Sequence, residues 1–296
     1  MSAGASERSG RPRDEDGHGA SAAMERTRDT VSPRIRYGAR TPEQLRNREV
    51  EATSVDTWAT SIVAIYETDP ELVAAVLPPP LVASTPEHVR LTIARVDVGR
   101  RLPPFGAGTF AVGAVHDGLV GDYALTMPMS TEQSVIGGRE TFGEPKKIAE
   151  VRLALGGDLA VGTRLTGSFA RLGVTYVEIS GQIVEELPLP ADGVRTSFYL
   201  KFQPAPDGKG FDDDPGLVHV QRREKTRKLF RVDGEVILRE SQFDPVADLP
   251  VRRLVGIEIA ERSSIQTGAV VRRLPQEDIV PFAHQRYDDL SPVGEE

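Results

Sequence analysis

Two adjacent lysines, Lys146 and Lys147, follow a proline at the end of the segment GRETFGEPKK. The chain has 36 lysine and arginine residues, and only six of them are lysines. Arginine therefore supplies most of the positive charge of this protein. An arginine stays protonated and cannot act as a nucleophile, whereas a lysine can once its pKa is lowered. The lysine pair thus indicates a site at which an amine is needed.

An unprotonated lysine attacks a ketone or an aldehyde and forms an imine, which withdraws electrons from the neighbouring carbon. This activates the loss of carbon dioxide, the cleavage or formation of a carbon–carbon bond, and proton transfer beside the carbonyl. A free lysine has a pKa of about 10.4, so about one in a thousand is unprotonated at neutral pH. Burial among apolar groups, or a second cation beside it, lowers that pKa. We therefore expect an active Lys146 to be buried.

The residues beside Lys146 bear on this chemistry. If the segment is an extended strand, Lys146 and Lys147 point to opposite faces, so burial rather than Lys147 lowers the pKa. Glu144 lies two residues before Lys146, hence on the same face, where it can act as an acid–base group. The alternative interpretation is that the two lysines and Glu144 lie on a solvated surface.

Six further residues are candidates for a substrate pocket: Glu132, Arg139, Glu140, Phe105, Phe110 and Met127. The charged ones can line the pocket or form a structural ion pair behind it. The apolar ones can form its wall, and the alternative for them is an ordinary hydrophobic core.

Other kinds of catalytic site leave no pattern in the sequence. The chain has no cysteine, which excludes disulfides, thiolate catalysis and cysteine-ligated metals. Its five histidines are isolated and do not form the His-x-x-x-His pattern of a zinc site. The glycine pairs lack the spacing of a phosphate loop, and the Gly-x-Ser-x-Gly pattern of a serine hydrolase is absent.

The elements that must position these residues are mainly strands. Asp69 and Pro70 begin a short helix that the prolines at 78–80 end, and a second helical piece is expected near residues 221–230. Asp117-Gly118 suits a tight hairpin turn. Val89, Leu91 and Ile93 alternate with polar neighbours and predict a strand, and Trp58–Tyr66 is a β-rich run. Further strands are predicted at Phe110–Val115, Leu119–Met127, Ile148–Leu155, Leu159–Leu172, Val174–Ile183, Ser197–Phe202 and Glu235–Arg239. The fold class predicted is mainly β (α+β), a large curved sheet or barrel with a few short helices.

Composition places limits on organisation and partners. Residues 1–40 have almost no large apolar side chains and are predicted to be a disordered tail, with Met24 as an alternative start. Residues 41–275 are expected to form a single domain, and residues 276–296 a polar C-terminal tail. A net charge of −8 argues against nucleic acid or an anionic membrane as a partner. Without a spanning segment or a signal peptide, a cytoplasmic protein is expected.

The segment Gly138-Arg139-Glu140, then four residues, then Pro145-Lys146-Lys147 resembles the signature of the acetoacetate decarboxylase family. The resemblance covers about residues 58–262. Weaker matches in the same order are Tyr66–Asp69, Leu77–Leu81, Gly118 with Gly121–Tyr123, Glu132, and Asp248–Val251.

This resemblance implies a function and a fold. It implies a lyase that decarboxylates a β-keto acid, with Lys146 as the residue that forms the Schiff base and Lys147 as a companion that tunes it. A lysine activated by a cationic neighbour is the arrangement known for acetoacetate decarboxylase. The family fold is a strongly curved antiparallel β-structure, cone-like or barrel-like, in a homo-oligomer. No metal or organic cofactor is implied.

The sequence departs from the family at the upstream pocket residues. Two glutamates and an arginine of the decarboxylases correspond to positions near Thr92, Ala107 and Trp58, where this chain has no such residues. The pocket is therefore expected to differ from one that binds acetoacetate. Two alternatives stay open: an imine-dependent aldolase or dehydratase acting on a keto acid, and a barrel that binds an apolar carbonyl ligand without turnover.

Overall fold

The computed structural model describes residues 37–46, 57–98 and 103–288. The chain divides into two compact units, residues 1–54 and 55–296. In the first unit, residues 42–46 form one helical turn. The N–H of Thr41 donates to Oε1 of Gln44 at 3.0 Å, and the N–H of Gln44 donates to Oγ1 of Thr41 at 3.2 Å, a reciprocal cap. The predicted disordered tail lies outside the described residues up to position 36.

The second unit consists of strands joined by short helices, as the sequence predicts. The strands are β1 (Trp58–Glu67), β2 (Val82–Ala83), β3 (Val89–Asp97), β4 (Phe105–His116), β5 (Leu119–Met129), β6 (Lys146–Ile148), β7 (Glu150–Leu155), β8 (Arg164–Arg171), β9 (Val174–Glu186), β10 (Gly193–Lys201), β11 (Gly216–Leu238) and β12 (Arg253–Arg273). The helices are α1 (Pro70–Val76), α2 (Glu132–Phe142) and α3 (Gln276–Ile279), with 3-10 turns at Val246–Asp248 and Val280–Arg286.

Seven strands close into a barrel. Their order is β10-β5-β4-β3-β1-β12-β11, and β11 pairs back with β10. The pair β10–β5 is parallel, whereas the other pairs of the ring are antiparallel. The predicted barrel is thus confirmed, but it is mixed rather than antiparallel throughout. A parallel pair needs a long crossover, and here the whole segment between β5 and β10 supplies it.

An outer layer covers one side of the barrel. Beyond its barrel partners β11 pairs with β9, which continues to β8 and β7. The layer lies against β1 and β3, since a Cβ on Gly167 would come within 2.9 Å of Ile93 and 3.2 Å of Ile62. The main hydrophobic core fills the space between, with Ile62, Ile93 and Phe169 fully buried. Burial of this apolar surface is the main force that holds the layer on the barrel.

The opposite face of the same strands points into the barrel. Side chains alternate along a strand, so Val63 and Arg90 face inward while Ile62 and Leu91 face the main core. A smaller apolar cluster lies inside the barrel near α2 and contains Ala124, Met127, Tyr199, Val218 and Val220, among others. The interior therefore has an apolar part beside α2 and a polar part elsewhere.

Three local predictions differ from the structure. Residues 221–230, predicted as a helical piece, belong to β11, because their backbone pairs with β10 and β12 on either side. Asp69 precedes α1 as predicted, but its carboxylate binds Arg252 and does not cap the helix. Residues 276–296 were predicted to be a polar tail, but residues 276–288 pack against the rest of the fold, since Ile279 and Arg286 are buried.

Replacing Phe169 with alanine tests the contact between the layer and the barrel. Phe169 is fully buried on β8 against Gly108 of β4. We expect the free energy of unfolding to fall by about 3–5 kcal/mol, because the side chain leaves a cavity. Urea unfolding measures the loss. The exposed Val161→Ala is the matched control and is expected to change stability by less than about 0.5 kcal/mol.

Candidate active site

Helix α2 and the turn after it place the candidate lysine. The helix ends at Gly143, whose φ of +77° is the left-handed conformation that glycine adopts most easily. The Gly143 N–H donates to the carbonyl of Arg139 at 3.0 Å and closes the helix end. The chain then runs back as β6, which pairs in parallel with Met127–Met129 of β5. This turn sets Glu144 and Lys146 against the helix that precedes them.

Lys146 and Glu144 form a close, buried pair. Nζ of Lys146 lies 2.6 Å from Oε2 of Glu144, and the two side chains are 12% and 1% exposed. Gly138 of α2 lies against both, and a Cβ there would collide with Oε2 and Nζ. The same-face placement of the two residues was predicted from their spacing. A carboxylate at this distance holds an ammonium ion in place and can also accept its proton.

Arg139 fixes the backbone of this segment. Its Nη1 donates to the carbonyl of Lys146 at 3.0 Å and to the carbonyl of Arg286 at 3.1 Å. Its guanidinium also lies 5.6 Å from the ring centre of Tyr287. Arg139 therefore joins α2, β6 and the C-terminal segment behind the candidate lysine.

The two glutamates predicted near the pocket are both exposed on α2. Glu132 lies in its first turn. Glu140 accepts a hydrogen bond from Nε2 of Gln203 at 3.2 Å. The structure does not bring either of them to Lys146.

Lys147 lies in a separate ion cluster on the other face of β6. Its Nζ donates to the carbonyl of Phe243 at 2.9 Å and lies 3.3 Å from Asp288 and 3.6 Å from Asp244. Arg171 binds the same two aspartates. Lys147 thus has its own carboxylate partners, separate from the Glu144 that pairs with Lys146.

The apolar candidates separate into two groups. Met127 and Phe105 belong to the cluster inside the barrel, and Met127 pairs with Lys146 across β5 and β6. Phe110 instead lies in the main core, because its position on β4 faces the outer layer. The structure thus brings two of the three predicted wall residues to the lysine side of the barrel.

Tyr199 on β10 is a residue that the sequence analysis missed. It is buried in the cluster inside the barrel. Burial raises its pKa, and the negative charges of Glu144 and Asp122 act in the same direction. Two residues earlier on β10, Ser197 pairs with Asp122 of β5. No local pattern marks Tyr199, since its place depends on the parallel pairing of β10 with β5.

The acids inside the barrel come from strands other than those of the family pattern. Thr92 and Ala107 lie on β3 and β4, as the comparison with the family positions implies. Asp122 of β5 lies 2.9 Å from Arg90 and 3.4 Å from His88. Burial acts to raise the pKa of Asp122, but His88 and Arg90 outweigh it and lower that pKa.

Within the described ranges, no three histidine, aspartate or glutamate side chains converge to hold a metal ion. Of the helices that the structure describes, none has the length and apolar character needed to span a membrane.

Comparison with known proteins identifies the family and agrees with this fold. Residues 39–274 match the acetoacetate decarboxylase (ADC) family, and the chain belongs to that family. The acetoacetate decarboxylase of Chromobacterium violaceum is 27% identical over 194 residues, which cover 64% of this chain and 76% of that protein.

Solved structures share the architecture. The crystal structure of acetoacetate decarboxylase from Legionella pneumophila has a TM-score of 0.63 at 20% identity, covering 74% of this chain and 86% of that one. The enduracididine biosynthesis enzyme MppR, complexed with the condensation product of pyruvate and imidazole 4-carboxaldehyde, has a TM-score of 0.60 at 13% identity. That likeness covers 72% of this chain and 87% of MppR. At these identities the two likenesses show a shared fold.

The interaction between His88 and Asp122 predicts a pH-dependent stability. The hydrogen bond to Asp122 is the main cause that raises the pKa of His88. The stabilisation is therefore complete below about pH 6.5, the pKa of an unfolded histidine, and is lost as the pH rises through the raised folded value. Urea unfolding between pH 5 and 9 measures the free energy of unfolding of wild type and of His88→Gln. We expect wild type to be the more stable at low pH and the difference to shrink as the pH rises. A constant difference would contradict this, and the exposed His284→Gln is the control.

Proposed function

We propose that the protein is a Schiff-base-forming lyase that decarboxylates a β-keto acid through an imine on Lys146. The observation that carries the proposal is the 2.6 Å contact between Lys146 and the buried carboxylate of Glu144. Membership of the acetoacetate decarboxylase family supports the same chemistry. A lysine held this way is protected from bulk water and has a proton acceptor beside it.

Glu144 acts as the acid–base partner in forming the imine. It takes a proton from the ammonium group of Lys146, which leaves an amine with a free electron pair. The amine attacks the ketone carbon, and one proton passes from the attacking nitrogen to the former carbonyl oxygen to give a neutral carbinolamine. Glu144 then returns its proton to the hydroxyl group, which leaves as water. The product is a protonated imine between Nζ and the substrate.

The protonated imine drives the loss of carbon dioxide. Its nitrogen accepts the electron pair of the bond between the α-carbon and the carboxylate, so carbon dioxide leaves and an enamine remains. The enamine carbon takes up one proton, and water then hydrolyses the imine. The result is a ketone, carbon dioxide and the free lysine. The net change consumes one proton for each carboxylate lost.

The other residues have supporting roles in this proposal. Arg139 is a positioning residue, because it holds the carbonyl of Lys146. Lys147 anchors the opposite face of β6, and the proposal assigns it no contact with substrate. Met127 and Phe105 form the apolar wall near the lysine. Glu132 and Glu140 are exposed on α2, so the mechanism does not use them.

A second candidate function keeps the imine but changes the step after it. The charged groups inside the barrel stand on β3, β5, β10, β11 and β12, but none stands at Thr92 or Ala107, so the handling of protons and carboxylates differs from the family pattern. An enamine that meets an aldehyde forms a carbon–carbon bond. MppR bound to a condensation product shows that this fold accommodates such a product. The buried pair of Lys146 and Glu144 favours imine chemistry over a barrel that only binds a ligand.

Cytoplasmic location, a homo-oligomer and a reaction without metal or organic cofactor stay predictions. They follow from the family resemblance and from the composition of the chain.

Reductive trapping tests the nucleophile. We expect borohydride, added with acetoacetate, pyruvate or a longer β-keto acid, to fix an adduct on Lys146 that peptide mass spectrometry locates. Lys146→Gln should lose the adduct, and Glu144→Gln should lower its rate by about 10²–10⁴-fold, the usual size of acid–base catalysis. Lys209→Gln removes an exposed lysine and is the matched control. The absence of an adduct on Lys146 with every compound would overturn the proposal.

Gas release separates the two outcomes of the imine. With a β-keto acid that traps on Lys146, we expect one carbon dioxide for each substrate consumed, measured with a coupled assay. Lys146→Gln is the blank, because spontaneous decarboxylation also releases gas. Trapping without gas release above that blank, together with a new product when an aldehyde is added, would favour condensation instead.

A further inference from the structure

Residues 280–288 return to the strand that carries the two lysines. They consist of the 3-10 turn Val280–Arg286, followed by Tyr287 and Asp288. Arg286 is buried, and Asp288 is paired with two cations, Lys147 and Arg171. We call these residues the 280–288 segment, and its contacts reach both lysines of the motif.

Three other elements fasten the 280–288 segment. Nε2 of Gln285 donates to the carbonyl of Val76 in α1 at 2.9 Å, and its Oε1 accepts from the hydroxyl of Tyr123 in β5 at 2.7 Å. Nη1 of Arg286 donates at 3.0 Å to the carbonyl of Phe202, directly after β10. Over their described lengths β5 and β10 pair at two positions, so the segment adds a further connection between them.

One contact of the segment reaches Lys146 through Arg139. Nη1 of Arg139 donates to the carbonyl of Lys146 at 3.0 Å and to the carbonyl of Arg286 at 3.1 Å. The guanidinium also lies 5.6 Å from the ring centre of Tyr287, within range of a cation–π contact. The backbone of Lys146 is thus joined to the 280–288 segment by a single side chain.

The other contact reaches Lys147 directly. Asp288 lies 3.3 Å from Nζ of Lys147 and is the nearer of its two carboxylates, since Asp244 lies at 3.6 Å. Burial acts to raise the pKa of Asp288, but Arg171 and Lys147 outweigh it and lower that pKa. Asp288 is therefore an ionised carboxylate at neutral pH, and it pairs with Lys147 as an ion.

Strand β6 depends on these two contacts for its position. It has three residues, Lys146–Ile148, and it pairs in parallel with Met127–Met129 of β5. So short a ladder leaves the strand free to tilt unless other groups hold it. A displacement of about 1 Å between a nucleophile and its target can lower a rate about a hundredfold. The groups that hold β6 therefore bear on the chemistry at Lys146.

We propose that Asp288 is a positioning residue for imine formation on Lys146. Its carboxylate holds the side chain of Lys147, and Arg139 holds the backbone of Lys146 to the same 280–288 segment. Together the two contacts fix the direction in which β6 presents the nucleophile. Asp288 has no contact with substrate in this role. The inference rests on the proposed function, because the reaction positioned is the attack of Lys146 on a ketone.

The rate of trapping tests the inference. With borohydride in excess and a keto acid that traps on wild type, we measure the limiting rate and the concentration that gives half of it. We expect Asp288→Asn to lower the limiting rate about tenfold, because the amine is misplaced, and to leave the half-saturating concentration within about twofold. Asp288→Glu keeps the charge and should recover part of the rate. Asp278→Asn changes an exposed aspartate of α3 and is the matched control.

The dependence of the limiting rate on pH separates positioning from an effect of charge. If Asp288 acted only by offsetting the charge of Lys147, Asp288→Asn would favour the unprotonated amine of Lys146. The rate would then rise, and its pH profile would move to lower pH. Positioning instead lowers the rate at every pH and leaves the profile where it is. A limiting rate equal to or above that of wild type would overturn the inference while the lysine chemistry stands.

Hydrogen–deuterium exchange tests the link to β6 without any substrate. We expect Asp288→Asn to speed exchange in peptides that cover residues 144–148 and to leave peptides from β1 and β3 unchanged, which a general loss of folding would not do. This result supports the inference even if no compound traps on Lys146, in which case only the proposed function fails. Unchanged exchange at residues 144–148 counts against the inference whatever the trapping shows.

Discussion

The contact between Lys146 and Glu144 constrains the rest of the candidate site. A carboxylate that is 1% exposed is costly without a partner, because an uncompensated buried charge loses several kcal/mol of solvation. The partner is Lys146, and three residues of the preceding segment hold it beside Glu144. Gly138 leaves room for the pair, Gly143 turns the chain back, and Arg139 holds the backbone of the lysine. Gly138 and Arg139, in the first part of the motif, thus contact and position Lys146 in its second part.

The two lysines of the motif divide between two tasks. One face of β6 turns Lys146 towards α2 and the barrel, and the other turns Lys147 into the cluster with Asp244 and Asp288. The cluster ties β6 to the outer layer through Arg171. In this account the second lysine fixes the strand that presents the first. Asp244 and Asp288 offset the charge of Lys147, whereas Lys146 is paired with Glu144.

Features set by nearby residues could be predicted from the sequence. The hairpin at Asp117 and Gly118 has the positive φ values that an Asp-Gly turn favours, and strand β1 lies where its β-rich run predicts it. The placement of Glu144 beside Lys146 followed from a spacing of two residues.

Features set by distant pairings could not be predicted in this way. The parallel contact of β10 with β5 brings Tyr199 into the barrel, and it joins parts of the chain with a long segment between them. The charged run of β11 resembles a helix locally, and only its two neighbouring strands make it extended. Arg90, Arg195 and Arg262 meet for the same reason. A single sequence gives no sign that three such distant arginines share a cavity.

A crystal structure of the wild-type protein after reduction with borohydride in the presence of a trapping keto acid tests the central claim most directly. We expect continuous electron density from Nζ of Lys146 to the former ketone carbon, with the carboxylate of Glu144 within hydrogen-bond distance of Nζ. Ligand density inside the barrel that is not joined to Lys146, or a covalent adduct on another lysine, would contradict it.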